Sequence, residues 1–481
     1  MNLGDKIFSG AIWSFAERVS TQLIQVILGI VLARLLTPND YGLIGLLLVF
    51  ISLSQVFIDS GFSAALIQKK NRSENDISTV FIFNILISII FYILLWFCAP
   101  YVADFYENQQ LDILLKVMAL SLLVNALFSV PLTLVTIDLN FKLLAKINFI
   151  AVLVSGGIAI ALAYNEFGVW ALVYQTLIKA LATLILLWFL TKWKPSSNFS
   201  VNSFKEMFSY GSKILIGSLL NTGANNISSL LIGKIISAKE LGYYTQGVQY
   251  TDLILRTLNA MYNKVLLPTL SKIQDQKEAL VKYTKSVLKI SGVFITPIFF
   301  ILIVIAEPFI KVLLGEDWLP VVPIIQIFSV SRFITLICGI NVNLLYVLGR
   351  TDLALKQQYS KIPIRLILIL ISIKFGIIYV ALAELTSTII HYFIDSFYPG
   401  KIMQYGALKQ IKDLSKILMF NILLLITSFI FMYFLDNEIL KLILTPIFYI
   451  LLYILGNYFF KNPEFMIPFN KINKMFLNRK K

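Results

Sequence analysis

The chain has 481 residues, of which 58% are hydrophobic and 14% are charged, and its mean hydropathy is +0.81. The hydrophobic fraction lies above the roughly 45–50% that is typical of soluble domains, which excludes an ordinary water-soluble enzyme or binding module. The net charge of +15 does not indicate nucleic-acid binding, because basic residues of a membrane chain gather in loops on one side of the bilayer.

Apolar segments of about 20 residues, long enough to cross a hydrocarbon core about 30 Å thick, recur along nearly the whole chain. Polar turn sequences, such as TPND at 37–40 and GRTD at 349–352, separate them. The pattern predicts an all-α polytopic membrane protein of about fourteen transmembrane helices. The predicted spans are 10–33, 41–63, 77–103, 112–136, 145–165, 168–190, 209–235, 241–267, 283–306, 321–347, 353–374, 377–398, 414–435 and 440–460.

Lysine and arginine are about fourfold more frequent on one predicted side of the membrane than on the other. Loops on the richer side carry Lys69 and Lys192, whereas the other side has few cations, among them Arg34 and Lys239. The positive-inside rule therefore predicts cytoplasmic amino and carboxyl termini. The first residues lack a cleavage signal, so the first apolar segment is expected to remain as a helix.

An internal repeat predicts how the helices are organised. Residues 32–42 (LARLLTPNDYG) match residues 232–242 (IGKIISAKELG) at an offset of 200. Six helices separate the copies, an even number, so both halves keep one orientation about an axis along the membrane normal. The alternative is chance similarity between apolar segments. The repeat predicts two pseudo-symmetric six-helix lobes around a central cavity, 1–195 with helices 1–6 and 196–405 with helices 7–12, followed by helices 13–14 in 406–460 and a basic interfacial tail in 461–481.

Polar side chains inside the spans are the candidates for a functional site. A charge at the bilayer centre costs a few kcal/mol or more unless it has a partner or a water-filled cavity. Arginine suits a phosphate ligand because its planar fork donates in pairs and stays charged. The alternative is that such residues lock helices together. The predicted substrate-binding residues are Arg18, Gln22 and Gln25 in helix 1, Asn225 in helix 7, Gln249, Arg256 and Asn259 in helix 8, and Arg332 and Asn343 in helix 10.

Four carboxylates inside spans are candidates for binding a coupling proton or Na⁺: Glu17, Asp59, Asp252 and Glu384. Structural pairing with a nearby cation is the alternative for each, and the i,i+4 spacing predicts an ion pair between Asp252 and Arg256. The chain has one histidine, His391, which argues against a His-rich metal site, and it contains no G-x-x-x-x-G-K-[ST] phosphate loop. No cofactor and no metal are expected, and an H⁺ or Na⁺ gradient is the expected energy source.

Several segments resemble a known family, the polysaccharide biosynthesis proteins or lipid-linked oligosaccharide flippases of the multidrug/oligosaccharidyl-lipid/polysaccharide exporter superfamily. They are most similar to the branch that includes colanic acid and teichuronic acid exporters, and together they cover nearly the whole chain. The segments are ARLLTPNDYGLIGL at 33–46, DSGFSAALIQ at 59–68, FGVWALVYQ at 167–175, FSYGSKIL at 208–215, LGYY at 241–244 and LLGEDWLPVVPIIQI at 313–327.

The resemblance implies a non-enzymatic flippase of the bacterial inner membrane that works by alternating access. Its implied substrate is an undecaprenyl-pyrophosphate-linked oligosaccharide, moved from the cytoplasmic to the periplasmic leaflet for exopolysaccharide, capsule or O-antigen assembly. In related lipid-linked peptidoglycan precursor flippases, cations on helices 1 and 8 are thought to engage the pyrophosphate, which points by helix to Arg18 and Arg256. Proteins of the assembly pathway are the implied partners, and one chain with two lobes is expected to function as a monomer.

Two other functions stay open from the sequence. A cation-coupled multidrug exporter of the same superfamily would favour a neutral or acidic pocket over three arginines. A polysaccharide polymerase or ligase usually needs a large outer loop, whereas the longest predicted outer break, 307–320, is about fourteen residues.

Overall fold

A computed structural model of the chain describes residues 22, 24–59, 61–191, 193–196 and 198–466. Within these ranges the regular structure is helical, and no strand occurs in them. The helices are α1 Ile24–Leu35, α2 Pro38–Asp59, α3 Phe62–Gln68, α4 Glu74–Phe105, α5 Gln110–Ile137, α6 Phe141–Tyr164, α7 Val169–Leu190, α8 Val201–Ile235, α9 Ala238–Ser271, α10 Lys277–Leu313, α11 Val321–Val347, α12 Thr351–Ser372, α13 Ile377–Met403, α14 Ala407–Tyr433 and α15 Glu438–Phe459, with short 3₁₀ turns at Glu316–Trp318 and Ile373–Phe375.

The predicted all-α polytopic fold is confirmed. The thirteen predicted spans from 41–63 onward coincide with helices, α2 and α3 together forming the second span. Of the first predicted span, 10–33, the described residues 24–33 lie in α1, and most of its earlier part is outside the described residues. The predicted span 321–347 has the same bounds as α11, whereas α8 begins at Val201, eight residues before the predicted start. The earlier start follows from a cap, because the Ser200 side chain accepts a hydrogen bond from the Ser203 backbone N–H.

Polarity separates the helices into two groups. Within the described residues, ten helical segments are long and apolar enough to cross a membrane, α2 and α3 counting as one. The long helices α8, α9 and α12 are outside this group, although each has enough residues to cross a hydrocarbon core at about 1.5 Å per residue. Helices α8 and α9 carry five of the polar residues singled out above, and α12 carries Lys356, Lys361 and Arg365, which lowers the mean hydropathy of all three.

The chain forms two compact units that divide between Thr245 and Gln246, inside α9. In the first unit α4 packs on α5, α6 on α7, and α2 on α8. In the second unit α11 packs on α10 and α13, and α10 also packs on α14 and α15 around a core that includes Phe299 and Leu288. The predicted lobe boundary at 195/196 and the separate segment 406–460 stay predictions.

The two copies of the sequence repeat contact each other inside the first unit. A Cβ atom on Gly42 would lie 1.6 Å from the Ala238 carbonyl oxygen, and one on Gly242 would lie 1.8 Å from the Pro38 carbonyl oxygen. The four residues pair reciprocally, because 38 and 42 become 238 and 242 at the offset of the repeat. A local two-fold relation between the copies produces such a self-complementary contact. We call this contact the glycine crossing of α2 and α9.

Both copies also begin their second helix with the same type of cap. Thr37 and Asp40 form a reciprocal cap, in which the Thr37 backbone N–H donates to Asp40 Oδ2 at 2.9 Å. In the second copy the Glu240 backbone N–H donates to Ser237 Oγ at 3.1 Å. The caps end α1 and α8 at equivalent positions and hold the starts of α2 and α9 in place for the glycine crossing.

Candidate functional site

One face of α9 carries a stripe of polar residues near the middle of the helix: Gln249, Asp252, Arg256 and Asn259. Their spacing of three, four and three residues places them on one side of an α-helix. Gln249 and Arg256 are exposed, and Asp252 and Asn259 are partly buried. We call this set the α9 stripe. It gathers the three substrate-binding residues predicted for helix 8 and one predicted coupling carboxylate.

Asp252 is the centre of a three-residue charge cluster. Its Oδ1 atom lies 2.6 Å from Arg332 Nε on α11, and its Oδ2 atom lies 3.9 Å from Arg256 Nη2. The guanidinium of Arg332 also lies over the Phe328 ring, 4.9 Å from its centroid. The ion pair predicted between Asp252 and Arg256 is therefore present only at long range, and Arg332 is the close partner.

The two arginines of the cluster differ in exposure and in pairing. The Arg332 side chain is 19% exposed and is neutralised by Asp252, whereas the Arg256 side chain is 78% exposed. Two arginines and one carboxylate leave a net charge of +1, which is accessible at Arg256. Arg332 is therefore paired with Asp252 in this geometry, and its substrate-binding role stays a prediction.

The other predicted substrate-binding residues have mixed surroundings. Asn343 Nδ2 donates to the Gly339 carbonyl at 2.9 Å within α11, and Asn225 Nδ2 donates to Asn221 Oδ1 at 3.3 Å within α8. Gln25 is exposed and Gln22 is partly buried. The predicted residues Glu17 and Arg18 lie outside the described residues.

The first unit contains a polar chain that the sequence reasoning found only in part. Asn125 Nδ2 on α5 donates to Gln55 Oε1 at 3.1 Å, and Gln55 Nε2 donates to Asp59 Oδ1 at 3.1 Å. Asp59 is one of the predicted coupling carboxylates and is exposed at the end of α2, just before Gly61 separates α2 from α3. Gln55 lies one turn before Asp59, a spacing that would have indicated the pair, whereas Asn125 is isolated in an apolar helix.

Two buried ion pairs connect α12 to α13. Arg365 donates to Glu384 Oε1 through Nε at 3.0 Å and through Nη2 at 2.8 Å, and Lys361 Nζ lies 2.6 Å from Asp395 Oδ1. The carboxylate side chains are only 7% and 2% exposed. Glu384, a predicted coupling residue, therefore has the structural pairing that was its alternative interpretation. Arg365, four residues after Lys361 on the same face of α12, is not among the residues predicted from the sequence.

A further charge cluster lies outside the spans, between α3 and α4. Lys69 Nζ lies 3.0 Å from Asp76 Oδ2 and 2.8 Å from Glu206 Oε2 on α8. The hydrogen bond to Glu206 is the largest factor that raises the pKa of Lys69 above its ordinary value. No group of three or more His, Cys, Asp or Glu residues placed to hold a metal ion occurs in the part of the chain that the structure describes.

The sequence is similar to proteins of polysaccharide synthesis. A family model described as polysaccharide biosynthesis protein matches residues 31–323. The chain is 27% identical over 352 residues to the teichuronic acid biosynthesis protein TuaB of Bacillus subtilis (strain 168), covering 73% of each chain. It is 26% identical over 367 residues to the lipopolysaccharide biosynthesis protein WzxC of Escherichia coli (strain K12), covering 75% of this chain and 74% of the relative.

Solved structures share the fold at lower sequence identity. The lipid II flippase MurJ in an inward closed conformation superposes with a TM-score of 0.72 at 18% identity, covering 95% of this chain and 99% of that chain. An inward-facing multidrug resistance transporter of the MATE family and MOP superfamily superposes with a TM-score of 0.61 at 13% identity, covering 82% of this chain and 100% of that chain. These likenesses concern the fold alone, because one fold hosts several functions.

Proposed function

Because the chain belongs to the polysaccharide biosynthesis protein family, we propose that it flips undecaprenyl-pyrophosphate-linked oligosaccharide repeat units across the bacterial inner membrane. The units move from the cytoplasmic to the periplasmic leaflet by alternating access and supply the assembly of exopolysaccharide, capsule or O-antigen. The multi-span architecture and the transporter fold are the premises of this proposal.

The observation that carries the proposal is the exposed guanidinium of Arg256 in the middle of a membrane helix. A charge at this depth is costly unless water or an ionic ligand reaches it. Asp252 holds Arg332 at 2.6 Å but lies 3.9 Å from Arg256, so the Arg256 fork keeps most of its donors for another anion. A pyrophosphate offers the paired oxygens that a guanidinium binds best, while a polyprenyl tail stays in the lipid.

We propose a proton or Na⁺ gradient as the energy source, with Asp59 as the carboxylate to test first. Asp252 and Glu384 are engaged by arginines, and Glu17 lies outside the described residues. Asp59 is exposed, and its Oδ1 accepts one amide hydrogen bond from Gln55. An amide partner leaves the charge of the carboxylate uncompensated, which suits reversible cation binding.

The proposed orientation places both termini in the cytoplasm, following the distribution of lysine and arginine. One chain holds both copies of the repeat, so a monomer is sufficient for the proposed cycle. Polysaccharide assembly proteins are the proposed partners.

The test is the leaflet in which the lipid-linked oligosaccharide resides when this protein is depleted from cells. Wild type and Arg350→Ala should restore outer-leaflet labelling, since Arg350 is an exposed loop arginine paired with Asp352. Arg256→Ala should trap the unit in the inner leaflet, and Arg256→Lys should restore labelling in part. Arg18→Ala tests the second predicted cation. If depletion leaves the unit in the outer leaflet, the proposed function is wrong; if Arg256→Ala restores labelling fully, only the site assignment is wrong.

The second candidate is a cation-coupled multidrug exporter, because a MATE transporter has the same fold and one fold hosts several functions. It predicts that the depleted strain becomes sensitive to cationic drugs while its lipid-linked oligosaccharide is distributed normally. Measuring both properties in one strain separates the two functions.

A further inference from the structure

Two adjoining cavities open on the surface of the second unit where α12, α13 and α14 meet. One has a volume of about 710 Å³ and the other about 340 Å³, and Phe393 and Phe397 line both. Lys401 and Lys409 line the larger cavity and Lys356 lines the smaller. We call the two cavities together the lysine groove. It lies apart from the α9 stripe and plays no part in the function proposed above.

The charges of the lysine groove are unbalanced. Three lysines line it, and no aspartate or glutamate is among the described residues that do. The larger cavity also includes the start of α14, where Gly406 provides no side-chain cap and the first turn contains no acidic residue. The first N–H groups of a helix lack intrahelical partners and favour an anion, so lysine at this end is unfavourable without one.

Close backbone contacts form one end of the larger cavity. A Cβ atom on Gly400 would lie 2.6 Å from the Gly406 Cα, so the end of α13 and the start of α14 approach without side chains between them. Lys409 Nζ donates to the Gln404 carbonyl at 2.7 Å, which fixes this lysine beside the cavity. The positive end of the groove is therefore held by backbone contacts and is already formed without a ligand.

The remaining wall of the groove is apolar and exposed. Phe397 is 61% exposed and Leu408 is 78% exposed. From Lys401 to Ile390, which lines the far end, α13 rises about 16 Å at 1.5 Å per residue, roughly half of a hydrocarbon core. A free phosphate would use the lysines alone, whereas an amphiphile with an anionic head and an acyl chain would use the whole groove.

We propose that the lysine groove binds one anionic phospholipid of the surrounding leaflet. Its phosphate lies between Lys401, Lys409 and the start of α14, and an acyl chain runs past Phe397 and Phe393 toward Ile390. Basic pockets between membrane helices are typical sites for such headgroups. Since the groove lies at the end of α13 that the positive-inside rule assigns to the cytoplasm, the lipid belongs to the inner leaflet.

The experiment uses the full chain purified in neutral detergent. Thermal unfolding and native mass spectrometry are measured with phosphatidylglycerol and with phosphatidylcholine of the same acyl chains. The variants are Lys401→Gln/Lys409→Gln in the groove and Lys277→Gln/Lys282→Gln as the matched control, because Lys277 and Lys282 are exposed and lie outside the groove. Phe397→Ser tests the apolar wall without a change of charge.

Wild type and the control should retain phosphatidylglycerol and unfold at a higher temperature with it than with phosphatidylcholine. The groove variant should bind phosphatidylglycerol about tenfold or more weakly, since each lysine near an anionic lipid contributes to affinity. Its unfolding temperature without lipid separates loss of binding from loss of folding. Phe397→Ser should bind the lipid more weakly while unfolding normally in detergent.

Three results would overturn the proposal. Equal stabilisation by the two lipids would show that the groove does not recognise the anionic headgroup. Equal retention of phosphatidylglycerol by the groove and control variants would show that Lys401 and Lys409 do not bind it. Protection by inorganic phosphate or by undecaprenyl pyrophosphate in place of phosphatidylglycerol would assign the groove to another anion. None of these results depends on whether the protein flips oligosaccharides.

Discussion

Helices α2 and α9 occupy equivalent places in the repeat and differ in what they carry. Both begin with a capped turn and both place a glycine in the crossing, at Gly42 and Gly242. At the offset of 200, however, Asp252 corresponds to Ser52 and Arg256 to Val56. The comparison shows that the repeat preserves the backbone contact, while the aspartate and arginine of the α9 stripe have uncharged residues at the equivalent positions of α2.

The largest effect is expected from a substitution in the glycine crossing, which both helices share. Gly42→Ala places a Cβ atom 1.6 Å from the Ala238 carbonyl oxygen, so the two helix starts must separate. We expect a loss of about 2–4 kcal/mol in the free energy of unfolding, typical of an overpacked contact that shifts backbone. Thermal unfolding in detergent measures it, and Gly242→Ala should cost a similar amount.

Gly157→Ala is the matched control for the crossing, because a Cβ atom there meets nothing within 4 Å. It should be neutral or slightly stabilising, as alanine favours a helix over glycine by about 1 kcal/mol. If Gly42→Ala unfolds at the same temperature as Gly157→Ala, the close approach of the two helices is wrong.

The next largest effect on stability is expected at Asp252 of α9, which has an uncharged residue at its equivalent position in α2. Asp252→Asn leaves the Arg332 guanidinium, 19% exposed, without its carboxylate, and we expect a loss of about 1–3 kcal/mol in unfolding free energy after allowance for this partial exposure. Ser52→Ala at the equivalent position of α2 should change stability by less, because Ser52 Oγ donates only to Val49 within its own helix. Chemical or thermal unfolding of the two variants tests the difference.

Arg256→Met should separate binding from stability. Its side chain is 78% exposed, so stability should change by less than about 0.5 kcal/mol. Loss of a paired guanidinium contact should weaken binding of a pyrophosphate headgroup about 10- to 100-fold. Binding of undecaprenyl pyrophosphate to purified protein measures the second effect, and unchanged affinity would show that Arg256 does not contact it.

The smallest effect is expected at a contact that stands outside the repeat. Lys69→Gln removes the ion pairs with Glu206, whose side chain is 63% exposed, and with Asp76, whose Oδ2 still accepts a hydrogen bond from the Ser73 backbone N–H. The substitution should cost about 0–1 kcal/mol. The pKa of Lys69 is raised in the folded chain, so its contribution is present below the ordinary lysine pKa of 10.5 and is lost as the pH rises through the folded value. Unfolding of wild type and Lys69→Gln should therefore converge at strongly alkaline pH, with oligosaccharide flipping unaffected at neutral pH.

Most helices could be predicted from the sequence, because hydropathy and capping residues depend on neighbouring positions in the chain. The turn at 37–40 and the span 321–347 illustrate this, since polar turn residues and apolar length set helix bounds directly. The contact between the two copies of the repeat was not predicted from glycine spacing, because a close approach depends on which helices meet. Sequence similarity indicated the copies but not their contact.

For the candidate site, the sequence predicts only which polar residues share a helix face. Spacing along α9 correctly grouped Asp252 with Arg256, yet the closer partner, Arg332, is 80 residues away in the chain. Glu384 likewise pairs with Arg365 on a neighbouring helix, and Asn125 reaches Gln55 from α5. Periodicity places a side chain on a face, whereas its partner is chosen by tertiary packing.

The glycine crossing leaves no room for a side chain in either copy of the repeat. The Ala238 and Pro38 carbonyl oxygens occupy the places that a Cβ atom on Gly42 and on Gly242 would take. A larger residue at either position requires the other copy to move as well. The two copies are therefore constrained to vary together at these positions, although the rest of their sequences can diverge.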